Sequence, residues 1–492
     1  MPGNYRKKIL ADQGWMHAFD DVLIKPGFTS FDPSEVDVST RLGPYNFSIP
    51  IMSAAMDTVT EERMAIQMAL LGGLGVIHRN CSFEKRLEMV KKVKRARGYM
   101  VENVATVPPD CSILEAKSRM EQFEISGLVV ADDQQKVIGV VTSRDLPFDK
   151  KMMNHGLVKD IMTKDVITGK EGITREAAAE LLYKHRIEKL PIVDDECKLV
   201  GLITTKDLKP DFPKASLDKR GRLLCALAIS PVMPEKKEEI KIFKEIAQYV
   251  DIFFVDVADF YKKKDIEGVK EIMDNLNASF VLGNIGTFEA AEFLLTKVDY
   301  DRDKFIALKV GMGSGSICST SIQTGVGAPT LFATAQIADA IEKYDPKMGL
   351  IADGGFKNLG DLPKAFTVGA DMIMTGHFFA GCSESPGLVD TIQGRKVKVY
   401  RGMGSKEARF VEGDYIFDRY SKDMKTLPEG VSDYVPFVGP VEGVIDQLTT
   451  GIKNGMIYAG AQKIKDMKDV EIGIVTVSGK VESEPHDLVG KW

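Results

Sequence analysis

Residues 223–257 read LLCALAISPVMPEKKEEIKIFKEIAQYVDIFFVDV. A short apolar run, LLCALAIS (223–230), gives way to KKEEIKIFKEIAQYV (236–250), whose apolar residues recur at helical spacing. A second apolar run, DIFFVDV (251–257), closes the unit. The chain repeats this strand, helix, strand pattern. Further β-rich runs stand at PIMSAAM (50–56), GLGVIH (73–78), SFVLGNIG (279–286), FIALKVGMG (305–313), GLIADGG (349–355) and DMIMTGHFFAG (371–381), several ending in Gly, Asp or Asn. Amphipathic stretches such as EERMAIQMALL (61–71) lie between most of them. Eight alternations predict an α/β fold, a (β/α)8 barrel, with its active site at the C-terminal ends of the strands. Asp256, Asn284, Cys318, Asp353 and Gly376 fall at those ends. A doubly wound open sheet would give the same local pattern; the count of eight favours the barrel.

Between the second and third runs the pattern is interrupted. KVIGVVTSRDL (136–146) matches KLVGLITTKDL (198–208), and ISGLVV (125–130) matches IEKLPIV (187–193), with one constant offset from Gly139 to Gly201 and from Ile125 to Ile187. Two copies are too few for a solenoid. They predict a small α/β domain over 98–212 that pairs its halves, about 98–156 and 157–212, to bury a core of its own. Residues 1–97 and 213–492 then form the barrel. The copies resemble tandem cystathionine-β-synthase-type (CBS) modules. That resemblance implies an adenine- or guanine-nucleotide cleft, with Asp145 and Asp207 as ribose contacts.

The chain has 492 residues, 44% of them hydrophobic, enough for a large core. Its net charge of −6 argues against a nucleic-acid binder that relies on bulk positive charge. The six cysteines are widely separated and show no CxxC spacing, so neither a disulfide framework nor a zinc site is suggested. The N-terminus lacks an apolar signal core, and no run reaches membrane-spanning length. The expectation is a cytoplasmic protein in which an accessible thiol stays reduced.

One such thiol stands out. KVGMGSGSICST (309–320) sets Cys318 among glycines and serines behind an apolar run. Glycines let successive N–H groups face an anion, and Ser316 adds a hydroxyl, so a phosphate-bearing substrate suits the loop. IADGGF (351–356) and MTGH (374–377) follow the last two strands, where such barrels commonly bind phosphate. Asp353, which would repel phosphate, instead suits a ribose diol. Thr320 places a hydroxyl two residues from the thiol. Downstream, residues 400–439 are polar, glycine-bearing and without periodicity, which predicts a mobile flap. Arg419 and Tyr420 lie within it.

Together GSGSICST, ADGG, YRGMGS, DRY, LPEG, FDDVLIKPG, IMSAAMDTVTE, GVIHRN and ESEPHD resemble the inosine 5′-monophosphate dehydrogenase and GMP reductase family, from about residue 16 to the C-terminus. The resemblance implies oxidation of IMP to XMP with NAD+, in guanine nucleotide synthesis. Cys318 would add to C2 of the purine, and Arg419, with Tyr420 and Thr320, would activate water to release the product. Ser316, Asp353, Gly355, Gly376, His377 and Tyr400 would hold the phosphate and ribose of IMP. Met56, Gly402, Met403, Gly404 and Glu429 would line the purine, while Asp256 and Asn284 would serve the nicotinamide side. Potassium would be held by carbonyls of Gly313, Gly315 and Cys318, completed by Glu482, Ser483 and Glu484 across a subunit boundary. The implied assembly is a homotetramer, or an octamer through the CBS modules.

The chain departs from the family pattern at Val257-Ala258, closer to GMP reductases, and at Ser321, Thr330 and His377. Two other readings stay open. A GMP reductase would share the barrel and cysteine and lean on Thr320 and Glu384; a nucleotide-sensing protein would have lost catalysis. Arg419-Tyr420 favours the dehydrogenase.

Overall fold

Each of the eight apolar runs contains one strand, and the eight close on themselves in the computed structural model, which describes residues 4–96, 104–123, 125–205, 208, 212–409 and 427–485. The strands are Ile51–Ser53, Leu74–Ile77, Ala226–Ile229, Ile252–Val255, Ser279–Ile285, Phe305–Val310, Gly349–Asp353 and Met372–Thr375. All neighbours run parallel, as the helical crossovers require. The long interruption leaves the order intact: Val76 still pairs with Ala226.

The runs are continuously apolar because both faces of each strand are covered. Alternate side chains serve the two faces. Ala226, Ala228 and Phe254 fill the barrel interior with Met52, Val281 and Met372. Leu227, Ile229, Phe253 and Val255 face outward and pack with Phe243 and Ile246 of the helix Lys237–Ile246. Lys309 breaks the inner apolar set: it follows inward-facing Ala307 by two residues and is buried.

The described chain falls into two compact units, the barrel unit and a smaller one of Arg95–Pro213 and Lys219–Arg222. The smaller unit holds two three-stranded sheets of the same design. In each, a two-residue strand (Thr106–Val107 or Gly169–Lys170) runs parallel to a central strand (Gly127–Ala131 or Lys189–Val193). The central strand pairs antiparallel with a third, Val137–Thr142 or Leu199–Thr204. The copies meet at equivalent turns: Val137 N–H donates to Cys197 O at 3.4 Å and Leu199 N–H to Gln135 O at 2.9 Å. Asp145 accepts from Thr142 N and Oγ1; Asp207 lies outside the described residues.

Where the barrel chain leaves for and returns from the smaller unit, a buried ammonium ties its ends. Lys94 Nζ lies 2.8 Å from Asp218 Oδ2, 2.5 Å from Asp251 Oδ2 and 3.0 Å from Leu223 O. Asp251 also accepts from Cys225 N–H at the base of a barrel strand.

Part of the stretch read as irregular is a sheet. Arg395–Arg401 pairs antiparallel with Asp390–Ile392 and with Ser432–Pro436. These strands are short, and in the central one the buried residues are Lys398 and Tyr400 rather than the alternating valines, so no apolar face announces them. Arg419 and Tyr420 lie outside the described residues. No helix among the described residues is long and apolar enough to cross a membrane.

Candidate active site

The C-terminal strand ends open into a pocket of about 400 Å³. Its lining gathers Met56, Asp256, Asn284, Ser316, Cys318, Thr320, Asp353, Gly355, Gly376, His377, Tyr400, Gly402, Met403, Gly404 and Glu429, with Gly313 and Gly315 of the cysteine loop. Glu482, Ser483 and Glu484 do not line it; they stand at the exposed end of the helix Val477–Glu482.

Cys318 sits two residues ahead of the short helix Thr320–Thr324 and is partly exposed. Its thiol donates to Thr320 Oγ1 at 3.2 Å, and that hydroxyl donates to Glu429 Oε2 at 2.9 Å. Backbone bonds fix this chain: Ser319 N–H donates to Glu429 O, Val431 N–H to Ile317 O and Glu429 N–H to Gly404 O. The cysteine loop is thus stitched to residues more than a hundred positions downstream. A thiol, a hydroxyl and a carboxylate in series form a path for a proton.

The loop owes its shape to small residues. Gly313 has φ +77°, and a Cβ there would stand 2.0 Å from Ser321 Oγ. Two departures from the family pattern fall here. Ser321 is exposed, with its Oγ lying against Gly313 and Gly327. Thr330 Oγ1 lies 2.7 Å from Ser314 Oγ and donates to Asp353 O at 3.1 Å, bracing the loop against the next strand. A Cβ on Gly376 would meet Met56 Sδ at 2.8 Å and Tyr400 Oη at 2.9 Å, so only a bare backbone leaves that space open.

Tyr400 is buried and accepts a 3.4 Å bond from Ser316 Oγ. Burial pushes its hydroxyl up to about 12, against the lowering effect of Ser316, so it stays a neutral donor suited to a phosphate oxygen. Exposed His377 opens the short helix beside it.

Lys309 is the residue sequence reasoning missed. Its Nζ lies 2.7 Å from Asp353 Oδ2 and 3.6 Å from Asp256 Oδ1, and it donates to Asn284 Oδ1. A charge inside FIALKV was the available signal. Val257 and Ala258 give the neighbouring wall an apolar surface. Glu384 is elsewhere: it does not line the pocket, and its carboxylate accepts from Val441 N–H at the start of a helix. The carboxylate beside Thr320 is Glu429, which corrects the pairing expected for a reductase.

For potassium, the donors available in the loop are hard carbonyl oxygens, of which Gly315 O already accepts from Cys318 N–H. Among the described residues no group of three His, Cys, Asp or Glu is placed to hold a metal ion.

Comparison with known proteins identifies the family. The model of the IMP dehydrogenase / GMP reductase domain matches residues 16–486. An inosine-5′-monophosphate dehydrogenase of Korarchaeum cryptofilum is 44% identical over 96% of each chain. That of Methanocaldococcus jannaschii is 43% identical, covering 96% of this chain and 95% of its own. Among solved structures, a GMP reductase variant of Trypanosoma brucei in complex with guanosine 5′-monophosphate aligns with a TM-score of 0.80. It is 32% identical, over 96% of this chain and 98% of its own. The chain belongs to the IMP dehydrogenase / GMP reductase family.

Proposed function

We propose that Cys318 is the nucleophile with which this protein, an IMP dehydrogenase, oxidises IMP to XMP. The observation that carries the assignment is the bond series from Cys318 through Thr320 to Glu429 inside the nucleotide-sized pocket. The thiol proton leaves along that series as sulfur bonds to C2 of the purine. NAD+, when bound, takes the hydride that C2 releases. The product of that step is a thioimidate linking Cys318 to the purine, so one difficult oxidation is split into two steps. Water then adds at C2, the C–S bond breaks, and the thiol regains a proton as XMP leaves. Thr320 and Glu429 are placed to steer that water, with Arg419 and Tyr420 brought by the flap.

Ser316, Gly355, Gly376, His377 and Tyr400 hold the phosphate in this reading, and Asp353 takes the ribose hydroxyls. Met56, Gly402, Met403 and Gly404 flank the base. Asp256 receives the nicotinamide ribose, with Asn284 beside it on the cofactor side. Carbonyls of Gly313, Gly315 and Cys318, with Glu482, Ser483 and Glu484 of a neighbouring subunit, hold potassium in a homotetramer or octamer. The smaller unit is a CBS pair, 98–156 and 157–212, that binds adenine or guanine nucleotides; its repeated sheets support this.

Paired absorbance assays test the assignment. IMP, NAD+ and potassium should yield reduced nicotinamide, and Cys318→Ala should abolish it. Consumption of NADPH with GMP alone would establish the reductase instead. Silence in both assays would favour the sensor.

A further inference from the structure

The reaction as written leaves Lys309 without a part, although it is a cation buried to 2% exposure at the floor of the pocket. Burying an ammonium is costly unless charge and hydrogen bonds compensate it. Here the compensation comes from three strand ends at once. Asp353 closes one strand, Asp256 follows another, and Asn284 lies in a third. Asn284 is fixed as well: its carbonyl accepts from Lys309, while Nδ2 donates to Asp353 Oδ2 at 3.0 Å and to Gly311 O at 2.8 Å.

The two carboxylate oxygens on Lys309 are no further apart than the sum of 2.7 and 3.6 Å. Two carboxylates that share one site repel each other, and a cation between them offsets that repulsion. Ribose hydroxyls bind most strongly to an ionised acceptor. We propose that Lys309 is a positioning residue that keeps the IMP-side and cofactor-side carboxylates ionised and oriented as one charge network, so that both nucleotides depend on a single ammonium. This rests on the reading of Asp353 and Asp256 as ribose acceptors. The other ionisable groups of the pocket are Cys318, Lys357, His377, Tyr400 and Glu429. Behind it, Arg79 donates to the Asp256 carbonyl at 3.4 Å.

The test uses the full-length enzyme. IMP affinity is measured by titration without NAD+, the NAD+ KM at saturating IMP, and kcat/KM as a function of pH. Lys309→Met should weaken both nucleotides about tenfold, the loss expected for charge-assisted bonds. Its kcat/KM should also fall further than that of wild type toward acid pH, because the repulsion between the two carboxylates is no longer offset. Lys309→Arg should restore most of both properties, and adding Asp256→Asn to Lys309→Met should remove that extra fall. Should Lys309→Met fail to fold, Lys309→Gln is read by the same three measurements. Loss confined to one nucleotide, or an unchanged pH profile, overturns the proposal. Asp353→Asn and Asp256→Asn separate the two layers. If these leave IMP affinity and NAD+ KM unchanged, the ribose reading has failed. If they weaken binding and Lys309→Met does not, the proposal alone has failed.

Discussion

Replacing Arg401 by methionine breaks a largely buried ion pair beside the pocket residue Gly402. The guanidinium grips Asp57 with Nε at 3.0 Å from Oδ1 and Nη2 at 2.7 Å from Oδ2. The Asp57 side chain is 5% exposed and that of Arg401 23%. Removing one partner of such a pair costs about 3–5 kcal/mol, because the remaining charge stays desolvated. Asn80 Nδ2 still donates to Asp57 Oδ2 at 2.7 Å, so the expected loss lies at the lower end, about 3 kcal/mol. Asp57→Asn should cost less, since Arg401 reaches solvent, and the Asp57→Asn, Arg401→Met double variant should recover much of the loss. Urea unfolding of the barrel, followed by far-ultraviolet circular dichroism, measures all three. Arg401 also leads directly into Gly402, so the IMP KM of Arg401→Met should rise. A loss below about 1 kcal/mol, or a double variant no more stable than Arg401→Met, would refute the reasoning.

Gly376→Ala should fold normally yet bind IMP at least about tenfold more weakly, as the added methyl crowds Met56 and Tyr400; isothermal titration reads it. Glu61 gives a pH signature. Burial opposes its ionisation, but bonds from His78 and Lys85 bring the carboxyl down from 4.5 to about 2. A depressed carboxyl stabilises the fold above its unfolded value and loses that contribution as pH falls through the folded one. The stability advantage of wild type over Glu61→Gln should therefore hold above 4.5 and vanish toward pH 2, seen in denaturation midpoints. Lys94→Met, which removes the ammonium that Asp218 and Asp251 share, should destabilise the barrel by about 3 kcal/mol in the same unfolding assay, the lower end because Asp251 keeps its bond from Cys225 N–H.

The barrel was legible because a parallel strand covered on both faces must be apolar throughout, and eight such runs leave few arrangements. The cysteine loop was legible because glycines at 311, 313 and 315 have no business in a strand core. The Thr320–Glu429 bond was not: its partners are 109 residues apart, and nothing local relates them. Glu384 shows the opposite failure. It lies close in sequence to the phosphate-loop motif, yet a helix start claims its carboxylate. Lys309 was visible as a charge in an apolar run, but its meaning depends on carboxylates from two other strands. The central strand Arg395–Arg401 was missed because its pattern is inverted: Lys398 and Tyr400 are buried while Val399 is exposed, so its alternation points the wrong way.

The clasp at Lys94 has a consequence for how such a chain can be built. One ammonium joins the end of the outgoing helix to the returning segment and to the foot of a barrel strand. The barrel therefore seals its own seam with its own residues, whatever lies between Arg95 and Pro213. Architecturally the smaller unit is an inclusion in a closed ring, since the pairing of Val76 with Ala226 that completes the circle uses barrel residues alone.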